Sequence, residues 1–389
     1  MDTITTEQKG EDRRKRDLRT GWAIAKAFVA PSLKRKYRYS CDTIDIDGPF
    51  LIIANHANNQ DPILMGLASP ERPLSFVGSE HLERLGFITK LLTKYFSLIP
   101  RSKASSGFGA VRNILDRLKK GGAVMLFAEG DCTWDGVTHG VFPATGKLAK
   151  AAKVPLVTYR LEGNYLSRPR WADSARRGRL TGKLVGIYSP SELAAMSPEE
   201  VTRAIDRDIF YDSWAAQRDD PVPFSSNRRA EGLERALFIC PECGRVEAMA
   251  SKGNRFFCKN CGAQWEVDEY CFLHGPRFST IAEWDAWQEK AVREMAGEEL
   301  FKFKAVFTDL AAGISKKALV SLDASNGRIN VSGRDAIPFS EITDMAMVKT
   351  NRLLFAFGGS YCEIKTKRGI LRPYLLSRNA FRDETGGNQ

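Results

Sequence analysis

Short apolar runs alternate with stretches of helical spacing from residue 41 to residue 215. The runs Phe50–Ala54, Leu74–Val77, Phe96–Ile99, Ala123–Phe127 and Leu156–Tyr159 have the length and composition of buried strands. Between them, Ile63–Ala68, Glu80–Lys94, Gly109–Lys119 and Gly146–Ala152 space their apolar residues as helices do. A further strand is predicted near Arg179–Ser189 and a closing helix over Pro198–Trp214. This alternation implies an α/β domain over residues 17–215, with a mostly parallel sheet covered by helices. Chemistry in such sheets sits outside the carboxyl ends of the strands. His56, Arg101, Glu129 and Arg160 each follow a predicted strand, so the pattern gathers them on one rim.

The pattern then changes twice. Residues 216–233, with Asp-Asp-Pro-Val-Pro and an Arg-rich run, are expected to be a linker, and 234–275 form a small module. Residues 276–299 are expected to form a connecting helix opened by a capping box, Thr280-Ile-Ala-Glu283, and carrying Trp284 and Trp287. From residue 300 the chain breaks into short alternating segments, Phe301–Phe307, Ala318–Leu322, Arg328–Val331, Ile342–Val348, Leu353–Phe357 and Tyr361–Thr366. Asn326-Gly327 and Gly358-Gly359 supply hairpin turns, and Pro373–Arg382 is expected to be helical. An antiparallel β domain over 300–382 resembles pleckstrin-homology (PH) or GRAM-like domains in pattern. That resemblance implies a partner such as a lipid headgroup, for which Lys365, Lys367, Arg368 and Arg372 would be suited. Residues 1–16 and 383–389 are expected to be disordered.

Charge and cysteine usage narrow the partners. The net charge of +11 favours an anionic partner: a membrane surface, a nucleic acid or a phosphorylated substrate. No apolar stretch reaches the roughly 18–20 residues that span a bilayer, and the polar N-terminus carries no visible signal peptide. From Leu18 through Trp22 to Phe28 and Val29 the apolar spacing is helical, with Lys34, Arg35, Lys36 and Arg38 following. The stretch fits either an interfacial membrane helix or a helix packed on its own domain. Four of the eight cysteines form two Cys-x-x-Cys pairs, Cys240/Cys243 and Cys258/Cys261, each followed by glycine. This spacing predicts a zinc ribbon with a structural Zn2+ on four thiolates, iron on the same ligands being the alternative, in a reducing cytoplasm rather than a disulfide framework. The ribbon lacks a dense basic and aromatic face, which argues against nucleic acid as its partner.

The candidate chemistry lies in residues 51–61, Leu-Ile-Ile-Ala-Asn-His-Ala-Asn-Asn-Gln-Asp. An imidazole at a strand end and a carboxylate five residues on, at a helix start, can face each other across one loop. Asp61 is expected to cap the helix that Pro62 begins. A carboxylate on one ring nitrogen fixes the tautomer and leaves the other able to take a proton from a hydroxyl. The arrangement is a triad without a nucleophile of its own, which suits a substrate that brings the hydroxyl.

Asn55-His56-(four residues)-Asp61 resembles the signature of the glycerolipid acyltransferase family, the 1-acylglycerol-3-phosphate (lysophosphatidate) acyltransferase type. Three further blocks follow in order: Phe96-Ser-Leu-Ile-Pro-Arg101, Phe127-Ala-Glu129-Gly130, and Val154-Pro155-Leu156-Val157. The resemblance implies His56 as general base, Asp61 orienting it, and Asn55, Arg101, Glu129 and Gly130 at the acceptor. The acyl donor would be acyl-CoA or an acyl group on acyl carrier protein, and the acceptor a lysophospholipid. The enzyme would lie on the inner face of the cell membrane as a peripheral, cytoplasmic protein. Cys132 departs from the pattern, standing where the family has a phosphate-gripping Arg, and a thiol cannot supply that charge. Arg160 or the later Arg168, Arg170, Arg176, Arg177 and Arg179 could compensate. The alternative is a non-catalytic lipid-binding or scaffolding protein that uses the ribbon and the C-terminal sheet.

Overall fold

The computed structural model describes residues 2–79, 94–96, 98–101, 108–295, 299–323, 326–342, 344–348 and 350–367. The predicted helices Glu80–Lys94 and Pro373–Arg382 fall wholly or almost wholly outside these residues. The chain divides into two compact units, Met1–Pro169 with Ala175–Ser226, and Arg170–Ser174 with Asn227–Gln389.

The first unit is built on a seven-stranded sheet. Its strands are β1 (Ser40–Cys41), β2 (Leu51–Ala54), β3 (Leu74–Ser79), β4 (Ile99–Arg101), β5 (Ala123–Phe127), β6 (Leu156–Glu162) and β7 (Thr181–Tyr188). They lie in the order β1-β7-β6-β2-β5-β3-β4. Only the β6–β7 pair is antiparallel; the others run parallel. All four residues of β2 are fully buried, as a central strand covered on both faces requires. Leu51, Ile53, Val124 and Leu156 pack there against Leu148 and Ala149 of the helix Ala144–Ala152 and Val201, Ile205 and Ile209 of the helix Pro198–Ile209. Register fixes the rim: Ala54 lies opposite both Phe127 and Tyr159. Two residues further along each strand direction come His56, Glu129 and Leu161.

Three expectations about the ends of this unit are corrected. Residues 2–16 are not disordered but belong to a helix, Asp2–Ile24. Opposite charges four apart (Asp12/Arg16) favour it, and Leu18, Trp22 and Ala25 are buried. Trp22 lies edge-on to Phe96 at 5.3 Å and tilted against Phe76 at 5.8 Å. The face that a membrane helix would bury thus packs largely on its own unit, while Ile24 and Phe28 stay exposed. The predicted closing helix Pro198–Trp214 is two helices, Pro198–Ile209 and Ser213–Asp219, the second capped by the Asp212 carboxylate. The stretch 216–233 is no free linker. Gln217 brackets Val222 with two 2.8 Å hydrogen bonds, Ser225 pairs with Arg177, and Phe224 is buried. Ala230 and Leu233 are buried in the second unit.

The second unit holds a four-stranded ribbon, β8 (Met249–Lys252), β9 (Arg255–Cys258), β10 (Gln264–Val267) and β11 (Leu273–His274). The helix Ile281–Glu294 is part of its core rather than a connector. Trp284 is fully buried, 4.6 Å from Trp265 and 5.3 Å from Phe256, and the Gln288 carboxamide accepts from the backbone of Phe238 and donates to that of Ala236. The predicted capping box is present, with Thr280 and Glu283 reciprocally bonded.

The remaining strands form a seven-stranded antiparallel sheet. They are β12 (Glu299–Asp309), β13 (Ile314–Asp323), β14 (Arg328–Val331), β15 (Ile337–Pro338), β16 (Asp344–Val348), β17 (Arg352–Phe357) and β18 (Ser360–Lys365). Their order is β15-β14-β13-β12-β18-β17-β16, so the first strand of the meander lies beside the last. Val320, Leu322, Ile329, Leu353, Phe355 and Ile364 fill its buried face.

Candidate active site

His56 sits where β2 ends, and three elements hold it. Its ring Nδ1 donates to Asp61 Oδ2 at 2.9 Å. Its backbone N–H donates to Glu129 Oε1 at 2.7 Å, and its carbonyl accepts from the Thr133 N–H at 3.0 Å. The Phe127 ring stacks on the imidazole, centroids 4.0 Å apart. The loop after β5 therefore grips both sides of the His56 backbone, and the side chain retains about 17% exposure.

Asp61 is fully buried and does not cap its helix as expected. Its Oδ2 also accepts from the N–H groups of Ala57 (2.6 Å) and Asn58 (2.9 Å), and Oδ1 accepts from the Asn164 carboxamide (2.7 Å). The tight loop back to His56 turns those amides onto the carboxylate, four donors in all, so its charge is well satisfied without water. Asn58 in turn donates to the Asn164 carbonyl. Nothing in the sequence signals Asn164, because its role arises only from the adjacency of β2 and β6.

Burial alone would lower the affinity of His56 for a proton. Charge pairing and a hydrogen bond with Cys132, together with the Asp61 carboxylate, more than offset it and raise its pKa well above the ordinary imidazole value. Glu129 is pushed up to about 7, chiefly by burial, against the opposing backbone donors of His56 and His139.

Several expected substrate residues have other work in this geometry. The Asn55 carboxamide is buried and doubly bonded to Leu161, donating to its carbonyl (2.9 Å) and accepting from its N–H (2.7 Å). Glu129 bonds two backbone amides, His56 N and His139 N (3.0 Å), and so anchors the loop. Gly130 closes the turn after β5 at φ +79°, the left-handed conformation that makes glycine the fitting residue. Arg160 Nε donates to Glu162 Oε1 at 3.0 Å, and Lys183 shares that carboxylate. Among the later arginines, Arg176 is buried against the Leu166 carbonyl and Arg179 pairs with Asp220. Arg101 ends β4, three strands from β2 in the same sheet, roughly 14 Å away at ordinary strand spacing. Both strand ends open on the same rim, so one extended substrate can span them. A cleft of about 10 Å³ lined by His56, Thr133, Thr138, Tyr165 and Tyr211 has room only for a water, so a larger ligand must approach over the exposed edge of His56.

In the second unit, Cys240, Cys243, Cys258 and Cys261 converge, all four sulfurs lying within 4.8 Å of one another. Cys240 and Cys261 Sγ are 3.7 Å apart, and Cys243 and Cys258 Sγ 3.8 Å. A tetrahedron with metal–sulfur bonds of about 2.3 Å has edges of about 3.8 Å, so the donor set fits a tetrahedral metal ion. Gly244 and Gly262 take positive φ after each pair. Asn260 directs its backbone N–H at Cys258 Sγ and its carboxamide at Cys243 Sγ, hydrogen bonds that suit metal-bound thiolates.

Residues 33–162 match the family model described as Acyltransferase. The matched region contains Asn55, His56, Asp61, Arg101, Glu129 and Arg160, so the chain carries an acyltransferase-family domain. Among solved structures it is similar to the 1-acyl-sn-glycerophosphate (LPA) acyltransferase PlsC from Thermotoga maritima. The identity is 20% and the TM-score 0.42, over 51% of this chain and 79% of that one. The N-terminal PH domain of human ARAP2 is similar at 14% identity and TM-score 0.19, over 23% of this chain and 84% of that one. Among the described residues no helix is long and apolar enough to cross a membrane.

Proposed function

We propose that this protein moves a fatty acyl group from a thioester, acyl-CoA or acyl carrier protein, to the hydroxyl of a lysophospholipid. The observation that carries the proposal is the His56–Asp61 pair, with Nδ1 tied to a buried, four-donor carboxylate and the side chain about 17% exposed. Asp61 fixes the tautomer; His56 Nε2 takes the acceptor's proton as its oxygen joins the acyl carbon, and returns it to the departing thiol. Arg101 would bind the polar end of the acceptor across the rim. The four-cysteine cluster would hold zinc as a structural ion that fastens the ribbon. The basic chain would work on an anionic membrane surface from the cytoplasmic side, with the C-terminal sheet aiding placement.

The test is thiol release from long-chain acyl-CoA by the full-length protein, with lysophosphatidate and other lysolipids as acceptors, beside His56→Ala. Acceptor-dependent release that drops about 1000-fold or more in the variant supports the proposal. No release with any acceptor, from either acyl-CoA or acyl carrier protein, defeats it.

A further inference from the structure

Resting on the acyltransferase reading above, we infer that Asn164 is a positioning residue for the transfer: it locks the Asp61 carboxylate against rotation and so holds His56 in the tautomer the reaction needs. The donors on that carboxylate are unevenly shared. Oδ2 accepts from three, His56 Nδ1 (2.9 Å), the Ala57 N–H (2.6 Å) and the Asn58 N–H (2.9 Å), more than its two lone pairs serve well. Oδ1 accepts from the Asn164 carboxamide at 2.7 Å. Without that donor, Oδ1 would be bare on a fully buried residue while Oδ2 stayed crowded. Turning about the Cβ–Cγ bond would then share the backbone amides between both oxygens and draw Oδ2 off the imidazole. Asn164 touches no reacting atom. It acts through Asp61 on Nδ1, which leaves the lone pair of Nε2 for the acceptor's proton.

Asn164 is itself held firmly. It opens the short helix Asn164–Ser167 directly after Gly163, whose φ of +79° turns the chain at the end of β6. A Cβ at Gly163 would meet the Arg179 carbonyl oxygen at 2.6 Å, so the turn is tightly enclosed. The Asn164 carbonyl accepts from the Asn58 carboxamide at 2.8 Å, and Asn58 lies in the loop whose amides bond Oδ2. One residue therefore grips both the carboxylate and the loop around it. Its own Oδ1 shows which contact sets the side chain. That oxygen is buried with no hydrogen-bond partner among the described residues, on a side chain 1% exposed. A bare buried acceptor costs stability that an apolar side chain of similar size would not lose. A carboxylate only accepts, so the carboxamide nitrogen must face Asp61 and its oxygen is left over. The position thus gives up stability for one donor aimed at the orienting carboxylate.

The experiment compares full-length wild-type protein with Asn164→Leu, which keeps the bulk and removes the donor, and with Asn164→Ala. Thiol release is measured at saturating acyl-CoA and lysolipid, and the ring Nδ1 proton is followed by proton NMR. In both variants kcat should fall about 10-fold to 100-fold while KM for the acceptor stays within about twofold. The wild-type protein should show a downfield resonance that His56→Ala abolishes, the proton shared between Nδ1 and Asp61. In the Asn164 variants it should move upfield or broaden away. Should neither variant fold, Asn164→Ser, whose hydroxyl is too short to span to Oδ1, takes the same test. A folded variant with wild-type kcat, or one that loses kcat while the resonance stays unchanged, overturns the inference. A lowered melting temperature with both readouts intact assigns Asn164 to stability alone and overturns it too. If wild-type protein releases no thiol from any donor, the acyltransferase reading fails, and the resonance still decides whether Asn164 holds the His56–Asp61 pair.

Discussion

The His56 site and the four-cysteine cluster are both loops that turn amides toward anionic atoms, but they are assembled at different ranges. The cluster draws every ligand from residues 240–261. The His56 site draws on residues 55–61, 127–133 and 164, joined only because β2 lies between β5 and β6. A local site is specified by spacing, whereas a distributed one is specified by the order of strands in a sheet. Their chemical needs differ too. The Asp61 charge is satisfied by protein donors alone. Four thiolates gathered within 4.8 Å require a cation.

Asp61→Asn is the harshest way to break the distributed site. The amide would set a donor either against the ring N–H of His56 and the N–H groups of Ala57 and Asn58 at Oδ2 or against the Asn164 carboxamide at Oδ1. Acyltransfer should fall by about 100-fold to 10,000-fold, and urea unfolding should show a loss of about 1–3 kcal/mol. A variant with near wild-type turnover would sever Asp61 from the chemistry. Metal removal breaks the other site. A strong chelator should lower the melting temperature of the ribbon, followed through Trp265 and Trp284, while initial rates of thiol release change by less than about twofold. Loss of activity in step with ribbon melting would make acyltransfer depend on the ribbon's metal.

Glu129 sharpens the contrast by pH. Its folded pKa of about 7 lies above the unfolded value of 4.5 because burial disfavours the charge. The folded protein therefore binds more protons between those values. The contribution is fully present below pH 4.5 and is lost as pH rises through 7, by up to about 3 kcal/mol. Urea unfolding at pH 5 and pH 7.5 should reveal this slope, and Glu129→Gln should flatten it. Equal slopes in the two proteins would assign the titration elsewhere. The smallest expected effect is that of Arg160→Ala. Because Glu162 holds that guanidinium, turnover should change by less than about threefold; a large rise in KM for the acceptor would restore it as a substrate contact.

Much of the scaffold was legible in the sequence because short apolar runs bounded by polar turns have few alternatives. Ala123–Phe127 and Arg328–Val331 coincide with β5 and β14 and the other predicted strands shift by a few residues, while β1, β8–β11 and β15 carried no prediction. His56, Asp61 and the paired cysteines were visible as patterns. The partners of those residues were not. Asn164 lies 103 residues from Asp61, and Glu129 anchors the His56 loop from 73 residues away. Periodicity shows which face of a strand is buried but not which strand stands beside it. The helix over Asp2–Ile24 was obscured for another reason: composition counts its charges but not their compensating order.

The Asn55–Leu161 pair has a consequence for which substitutions the site tolerates. The carboxamide extends the β2–β6 ladder one rung past the last strand residue, acting as a peptide group turned sideways. Such a rung needs one donor and one acceptor at opposite ends of a single short side chain. Aspartate has the size but would face the Leu161 carbonyl with a lone pair, and serine lacks the span. The residue before the histidine is thus dictated by the neighbouring strand's backbone rather than by any ligand. Replacing it would let the rim fray from the inside, moving the imidazole while leaving its carboxylate partner in place.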